Sequence, residues 1–150
     1  MDGEIMNNNL KYMQLAIKEA KKAYEKEEVP VGAVIVYKNK IIAKAHNQKE
    51  SQNNSIKHAE LIAIDKACKK LKTWHLEECI LYTTLEPCIM CTGAILQSRI
   101  KEIYCSTLSQ KYGGLDKLNE KEKKKIKIDI GLCKNESIQL LKNFFKQKRK

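Results

Sequence analysis

Two short stretches carry residues that can do chemistry together: His58-Ala59-Glu60 and Pro87-Cys88-Ile89-Met90-Cys91. The first offers a ring nitrogen and a nearby carboxylate, the second a pair of sulfurs. A Cys-x-x-Cys pair suits zinc, because both sulfurs can reach one ion at about 2.3 Å. The same pair serves equally as a redox dithiol or as two buried core cysteines, and a lone histidine is more often a surface or hydrogen-bonded residue than a ligand. Taken together, the residues describe zinc held by His58, Cys88 and Cys91, a fourth position open to water, and Glu60 to move protons. An open site with a base is what hydrolysis requires. A structural zinc would need a fourth protein ligand. Cys68 lies roughly 15 Å along a helix from His58 and is out of reach, while Cys79 and Cys105, at strand ends, stay open.

The elements that must position these residues are legible from periodicity. Leu10, Met13, Ile17, Ala20 and Tyr24 recur at helical spacing, which predicts an amphipathic helix from Asn9 to Glu28, capped within Asn7-Asn8-Asn9 and ended by Val29-Pro30. Gly32–Tyr37 and Ile41–His46 read as strands joined by the Lys38-Asn39-Lys40 turn. A polar loop, 47–57, leads to a helix from His58 to about Lys72, with Leu61, Ile64, Cys68 and Leu71 inward. Cys79–Leu85 is a third strand. Pro87 sits where its missing N–H costs nothing, before a helix from Cys88 to Ser98 so poor in charge that burial on most sides is expected.

Ile100–Cys105 is a fourth strand, and the charge run Glu120–Lys125 reads as a solvated segment. Ile126, Ile128 and Ile130 alternate as a fifth, half-buried strand. Asn135 is placed to cap a last helix that contains Ile138, Leu141, Phe144 and Phe145. The order predicts an α/β protein, a mixed sheet with helices on its faces, in one domain over residues 1–150. His58 opens the helix after strand two and the cysteines open the helix after strand three. Parallel crossovers between neighbouring strands would bring both N-termini to one sheet edge. The N–H of Ala59, orphaned in the first turn, would point into the same pocket.

Net charge is +11, which points to a polyanionic partner such as nucleic acid. Compositional bias is a rival reading, since Arg99 and Arg149 are the only arginines among the basic residues. The six cysteines come without the basic start and apolar block of a secretory leader, so thiols or metal ligands are expected rather than disulfides. No apolar run approaches the roughly 18 residues of a membrane span. A cytoplasmic location is expected, with no membrane partner.

The chain resembles the zinc-dependent nucleobase deaminases, whose signature is H-x-E…P-C-x-x-C, and within them the bacterial tRNA-specific adenosine deaminase family. The resemblance is carried by Val29-Pro30-Val31-Gly32-Ala33-Val34, Asn47, His58-Ala59-Glu60, Thr84-Leu85-Glu86-Pro87-Cys88-Ile89-Met90-Cys91, Gly93-Ala94, Ser98-Arg99-Ile100 and the terminal Phe144-Phe145 with its basic tail. It implies a three-layer α/β/α cytidine-deaminase-like fold with a five-stranded mixed sheet, one zinc per chain, and a homodimer. It further implies conversion of adenosine to inosine at the wobble position of a tRNA anticodon stem-loop.

By the same resemblance His58, Cys88 and Cys91 hold the zinc and Glu60 shuttles protons. Asn47 hydrogen-bonds the base, Val31 touches its face, and Ala59 and Pro87 lend backbone to the reacting region. Phe144, Phe145, Lys146, Lys148 and Arg149 are candidate RNA contacts, with one phenylalanine expected in the core. Two segments depart from the family pattern, Asn54-Ser55-Ile56-Lys57 and Ser106–Gly113. Rival readings are a deaminase of free guanine, cytosine or dCMP, and a zinc-containing RNA-binding subunit without activity.

Overall fold

The computed structural model describes residues 2–148. In chain order the elements are α1 (Asp2–Glu25), β1 (Gly32–Tyr37), β2 (Lys40–His46), α2 (Ala59–Leu71), β3 (Cys79–Thr83), α3 (Ile89–Gln97), β4 (Glu102–Cys105), a 3-10 turn (Leu115–Lys117), α4 (Glu120–Lys123), β5 (Lys127–Ile130) and α5 (Lys134–Lys148). The strands form one sheet in the order β2-β1-β3-β4-β5. β1 runs antiparallel to both neighbours, while β3, β4 and β5 are parallel.

Strand alternation sorts the core into two layers. Val34, Val36, Tyr82 and Tyr104 face Tyr12, Met13 and Ala16 of α1. Ala33, Ile35, Leu81 and Ile103 face Ala59, Ala63, Ile64 and Ala67 of α2 and Ile95 of α3. α5 joins the first layer, where Phe144 meets Tyr24 of α1 edge-on. α1 lies so close to β1 that a Cβ on Gly32 would collide with the Ala16 carbonyl and come within 2.6 Å of the Ala20 nitrogen. Glycine is therefore required there by space, not by backbone angle.

Several expectations shift. α1 begins at Asp2, so Asn7–Asn9 lie inside the helix rather than capping it, and Asn9 Oδ1 accepts from the Tyr82 hydroxyl at 2.6 Å. Leu10 is exposed, because the buried stripe runs through Tyr12, Met13, Ala16 and Ala20. α5 begins at Lys134, so Asn135 is not its cap. The run at Glu120 forms a short helix capped by Asn119, which exchanges side-chain bonds with Glu122. Ile130 is exposed at the end of edge strand β5. β2 and β3 are not neighbours: β1 lies between them, and being antiparallel to both it leaves their C-terminal ends on one edge. The convergence expected of α2 and α3 is reached with a strand in between.

The largest departure is α3. Cys91, Thr92 and Ile95 are buried, but Ile89 is 66% exposed, and Met90, Gly93, Ala94 and Leu96 are only partly covered. A Cβ on Gly93 would meet open space. The uncharged helix thus buries one side within this chain and presents the other.

Candidate metal centre

Both halves of the centre are helix N-termini. His58 is the residue before α2, with extended backbone (φ −81°, ψ 149°), and Cys88 holds the same place before α3 (φ −69°, ψ 178°). That position favours Ser, Thr, Asp or Asn, whose oxygen folds back onto the first turn. Neither His58 nor Cys88 makes such a bond. His58 Nδ1 lies instead 3.6 Å from Cys88 Sγ and 3.5 Å from Cys91 Sγ. Zinc bonds of about 2.3 Å to sulfur and 2.0–2.1 Å to nitrogen at tetrahedral angles separate N from S by about 3.6 Å. The donor set fits zinc. The three ligand atoms all fall within 4.8 Å of one another, and among the described residues no fourth His, Cys, Asp or Glu joins them. Cys79 and Cys105 are therefore not ligands, and a protein-closed structural site is not formed.

Protonation within the donor set favours a thiolate. Cys88 is held down to about 3 by the hydrogen bond from the Cys91 thiol, against the cost of burial, with help from His58 and the Cys91 amide. The Cys91 thiol, as donor to that thiolate, is pushed far up. Metal binding would displace this remaining proton. Glu60, 4% exposed, lies alongside the same sulfurs, and burial pushes its carboxyl up to about 7. A carboxyl poised near neutrality can accept a proton and give it back. Beneath it, burial and the charges of Glu60 and Glu86 push the Cys105 thiol up, leaving it neutral.

Asn47 supplies the cap that His58 does not. Its Oδ1 accepts from the Ala59 amide at 2.8 Å and its Nδ2 donates to the Val29 carbonyl at 3.2 Å. The Ala59 N–H is consequently not the orphan donor that its place in the first turn suggests. Val31 is buried, and its carbonyl accepts from the Asn47 amide at 3.1 Å. Pro87 is also buried, its carbonyl bonded to the Gly114 amide at 2.8 Å.

At the C-terminus Phe144 is buried against Tyr24, which removes it from reach of a ligand, while Phe145 is 46% exposed. Lys146 and Lys148 are exposed, and Arg149 lies outside the described residues. Two acids that sequence patterning does not single out, Glu28 and Glu86, hold the loops flanking the centre. Glu28 accepts from the Glu50 and Ser51 amides at 2.9 and 2.6 Å. Their sequence signal is a position next to Val29-Pro30 or Pro87-Cys88, and for Glu86 a place within the stretch that carries the family resemblance.

A mixed sheet with helices on both faces, carrying an open His-Cys-Cys centre and a buried carboxylate, defines a zinc-dependent hydrolytic enzyme of the deaminase type. The chain belongs to the cytidine and deoxycytidylate deaminase zinc-binding family, whose model matches residues 6–107. It is 46% identical over 144 residues to a tRNA-specific adenosine deaminase of Bacillus subtilis, covering 93% of this chain and 89% of that one. A solved structure from work on A-to-I editing by tRNA:A34 deaminases at the wobble position superposes with a TM-score of 0.82 at 35% identity, covering 87% of this chain and 98% of that one. A guanine deaminase from Bacillus subtilis superposes with a TM-score of 0.62 at 39% identity, over 65% of this chain and 63% of that one.

Proposed function

We propose that this chain, acting as one deaminase domain in the cytoplasm, hydrolyses adenosine to inosine at the wobble position of a tRNA anticodon. The observation that carries the chemistry is the open three-ligand centre with Glu60 buried beside it. Likeness to tRNA-specific adenosine deaminases over most of the chain supports the substrate. His58, Cys88 and Cys91 would hold a zinc ion, which would supply Lewis acidity that brings the pKa of a water toward neutrality. Glu60 is the group that takes a proton from the attacking water and hands it to N1 of adenine as the oxygen adds to C6. Glu60 then takes the remaining proton from the added oxygen and delivers it to the amine, so that the C–N bond breaks, ammonia leaves and the oxygen remains as the C6 carbonyl of inosine. Asn47, fixed by Val29 and Ala59, stands beside this chemistry to orient the base, with Val31 behind it. The target base must leave its stack to enter, which costs least in a single-stranded loop. Phe145, Lys146 and Lys148 give a basic, partly aromatic surface for flanking nucleotides, and binding there weakens steeply as salt rises.

The test is incubation of zinc-loaded protein with an anticodon stem-loop bearing adenosine at the wobble position, with the guanosine counterpart, and with free guanine and cytidine. Inosine and ammonia from the first substrate alone are expected. Turnover of free guanine with none of the stem-loop would overturn the substrate in favour of base deamination, and turnover of nothing would leave a binding subunit.

We further infer that a second copy of the chain covers the open side of α3, where Ile89 and Gly93 face outward without charge. Gly93→Lys, which fits freely in a single chain, should turn a dimer into monomer by light scattering. An unchanged mass would remove this reading.

A further inference from the structure

β2 is an edge strand, paired only with β1, and its pairing is irregular. Ile35 lies opposite Ala43 but Val36 lies opposite Ile41, so Ile42 is an extra residue. Past such a bulge the alternation of side chains is set afresh. A slip of one residue there would turn every following side chain to the other face of the sheet. Hydrophobic patterning does little to prevent it. The residues after the bulge that face α2 are Ala43 and Ala45, and burying so small a side chain contributes little. The facing strand β1 is apolar on both sides, with Ala33 and Ile35 toward α2 and Val34 and Val36 toward α1.

The register matters because of what ends the strand. His46 lies opposite Gly32 on the α1 side, and the next residue, Asn47, points the other way, to the Ala59 amide at the start of α2. On the α1 side His46, 8% exposed, has its Nδ1 3.2 Å from Oε1 of Glu19, itself 5% exposed. Burial alone would raise the Glu19 carboxyl, but the bonds from Lys22, at 2.7 Å, and His46 outweigh it and hold the group below its ordinary 4.5. A carboxylate only accepts, so the proton of this contact sits on Nδ1. The contact is a poor one for stability. Nε2 of the same ring is buried with no partner among the described residues, a cost that an apolar side chain would avoid. Buried polar pairs kept at such a cost are best attested as devices that fix a register.

We propose that Glu19 and His46 are positioning residues: their buried contact fixes the register of β2 past its bulge, and so turns Asn47 toward the metal centre and the reacting base. The proposal rests on the role given to Asn47 above. The competing account is a pair that only stabilises the fold, and the two part where stability is restored without the contact.

The experiment compares wild type, Glu19→Gln, Glu19→Leu and the double variant Glu19→Leu/His46→Leu. On each, NMR reads the backbone proton contacts between Ala33 and Ala45, which are partners in one register only. Kinetics on the adenosine stem-loop, zinc content and urea unfolding are measured alongside. Glu19→Gln keeps an oxygen for the His46 Nδ1–H and should match wild type. Glu19→Leu should weaken the Ala33–Ala45 contacts, lower stability and lower kcat/KM about tenfold, with zinc retained. The double variant sets two apolar side chains against each other and should regain stability. Its register should stay mixed, and its kcat/KM should stay down about tenfold.

A double variant that is stable and fully active overturns the register role, as do unchanged Ala33–Ala45 contacts in both leucine variants. Loss of zinc in those variants would place their effect at the ligands and overturns it too. Where Glu19→Leu does not fold, the double variant decides by the same readings, and a double variant that also fails to fold assigns the pair to stability alone and overturns the proposal. A wild-type protein that leaves the stem-loop unreacted removes the substrate reading, while the proton contacts still decide the register.

Discussion

The histidine-bearing end of α2 is fastened largely by the loop that leads into it, and the cysteine-bearing end of α3 by a segment that follows β4. In the first case Gln48 N–H reaches the Lys57 carbonyl at 3.0 Å, Asn54 Oδ1 takes the Ile56 amide at 3.1 Å, and Asn47 caps Ala59. Glu28 adds the outside support through Glu50 and Ser51. In the second case the link from Thr83 to Cys88 is too short to support itself, and the 107–115 segment braces it through Glu86 and Pro87.

Both clamps grip main-chain N–H groups, which every residue but proline supplies. The residues within either loop can therefore change while the clamp stays. Glu28, Glu86 and the two glycines packed on the second clamp, Gly113 and Gly114, do not share that freedom. The two ends also divide the site: the α2 end carries the buried carboxyl of Glu60 as well as one candidate ligand, the α3 end carries two.

This contrast can be broken at several strengths. Cys91→Ala removes a ligand from the α3 end, and should abolish both zinc retention and turnover, read by metal analysis and inosine formation. Glu60→Gln strikes the α2 end only, and should lower kcat by roughly 10²–10⁴ while zinc stays at one per chain. Normal turnover by that variant would remove Glu60 from the mechanism. Glu28→Gln sets an NH2 against one of the two amides that the buried Glu28 carboxylate accepts and should cost about 1–3 kcal/mol in urea unfolding.

The same acid should leave a pH signature. Burial alone would raise the Glu28 carboxyl, but the Glu50 and Ser51 amides outweigh it and hold the group below its ordinary 4.5. Its contribution is therefore complete above that value and is lost as pH falls through the lower folded-state value. Wild type should lose stability on acidification more steeply than Glu28→Gln. The smallest effect is expected at Asn47, where Asn47→Ala should cost about 1–2 kcal/mol by leaving the Ala59 amide without its cap. A larger loss there than at Glu28 would mean that the α2 end depends on its cap more than on its outside clamp.

Much of this protein could be read from residue order. The apolar run Gly32–Tyr37 announced a strand, and Pro87 ahead of a neutral run announced a helix. His58, Cys88 and Cys91 named a metal and Glu60 a base, because donor chemistry belongs to side chains and travels with the sequence. Less could be read at the ends of helices. Asn7–Asn9 and Asn135 are good caps by type, yet α1 runs through the first group and α5 begins before the second, since Asn9 meets Tyr82 and chain contacts set those ends.

The sequence by itself therefore determined the class of fold, the order of the five strands and the long helices, and the candidate ligand set, all written in side-chain type and period. The tertiary structure decided the rest: that β1 would lie between β2 and β3, and that Asn47 would cap α2 in place of His58. It also left one side of the uncharged α3 open and hung the two flanking loops on Glu28 and Glu86. These outcomes depend on strand pairing and on carboxylates bound to distant backbone amides. Backbone amides look alike at every position, so no pattern of residues marks which ones a buried acid will find.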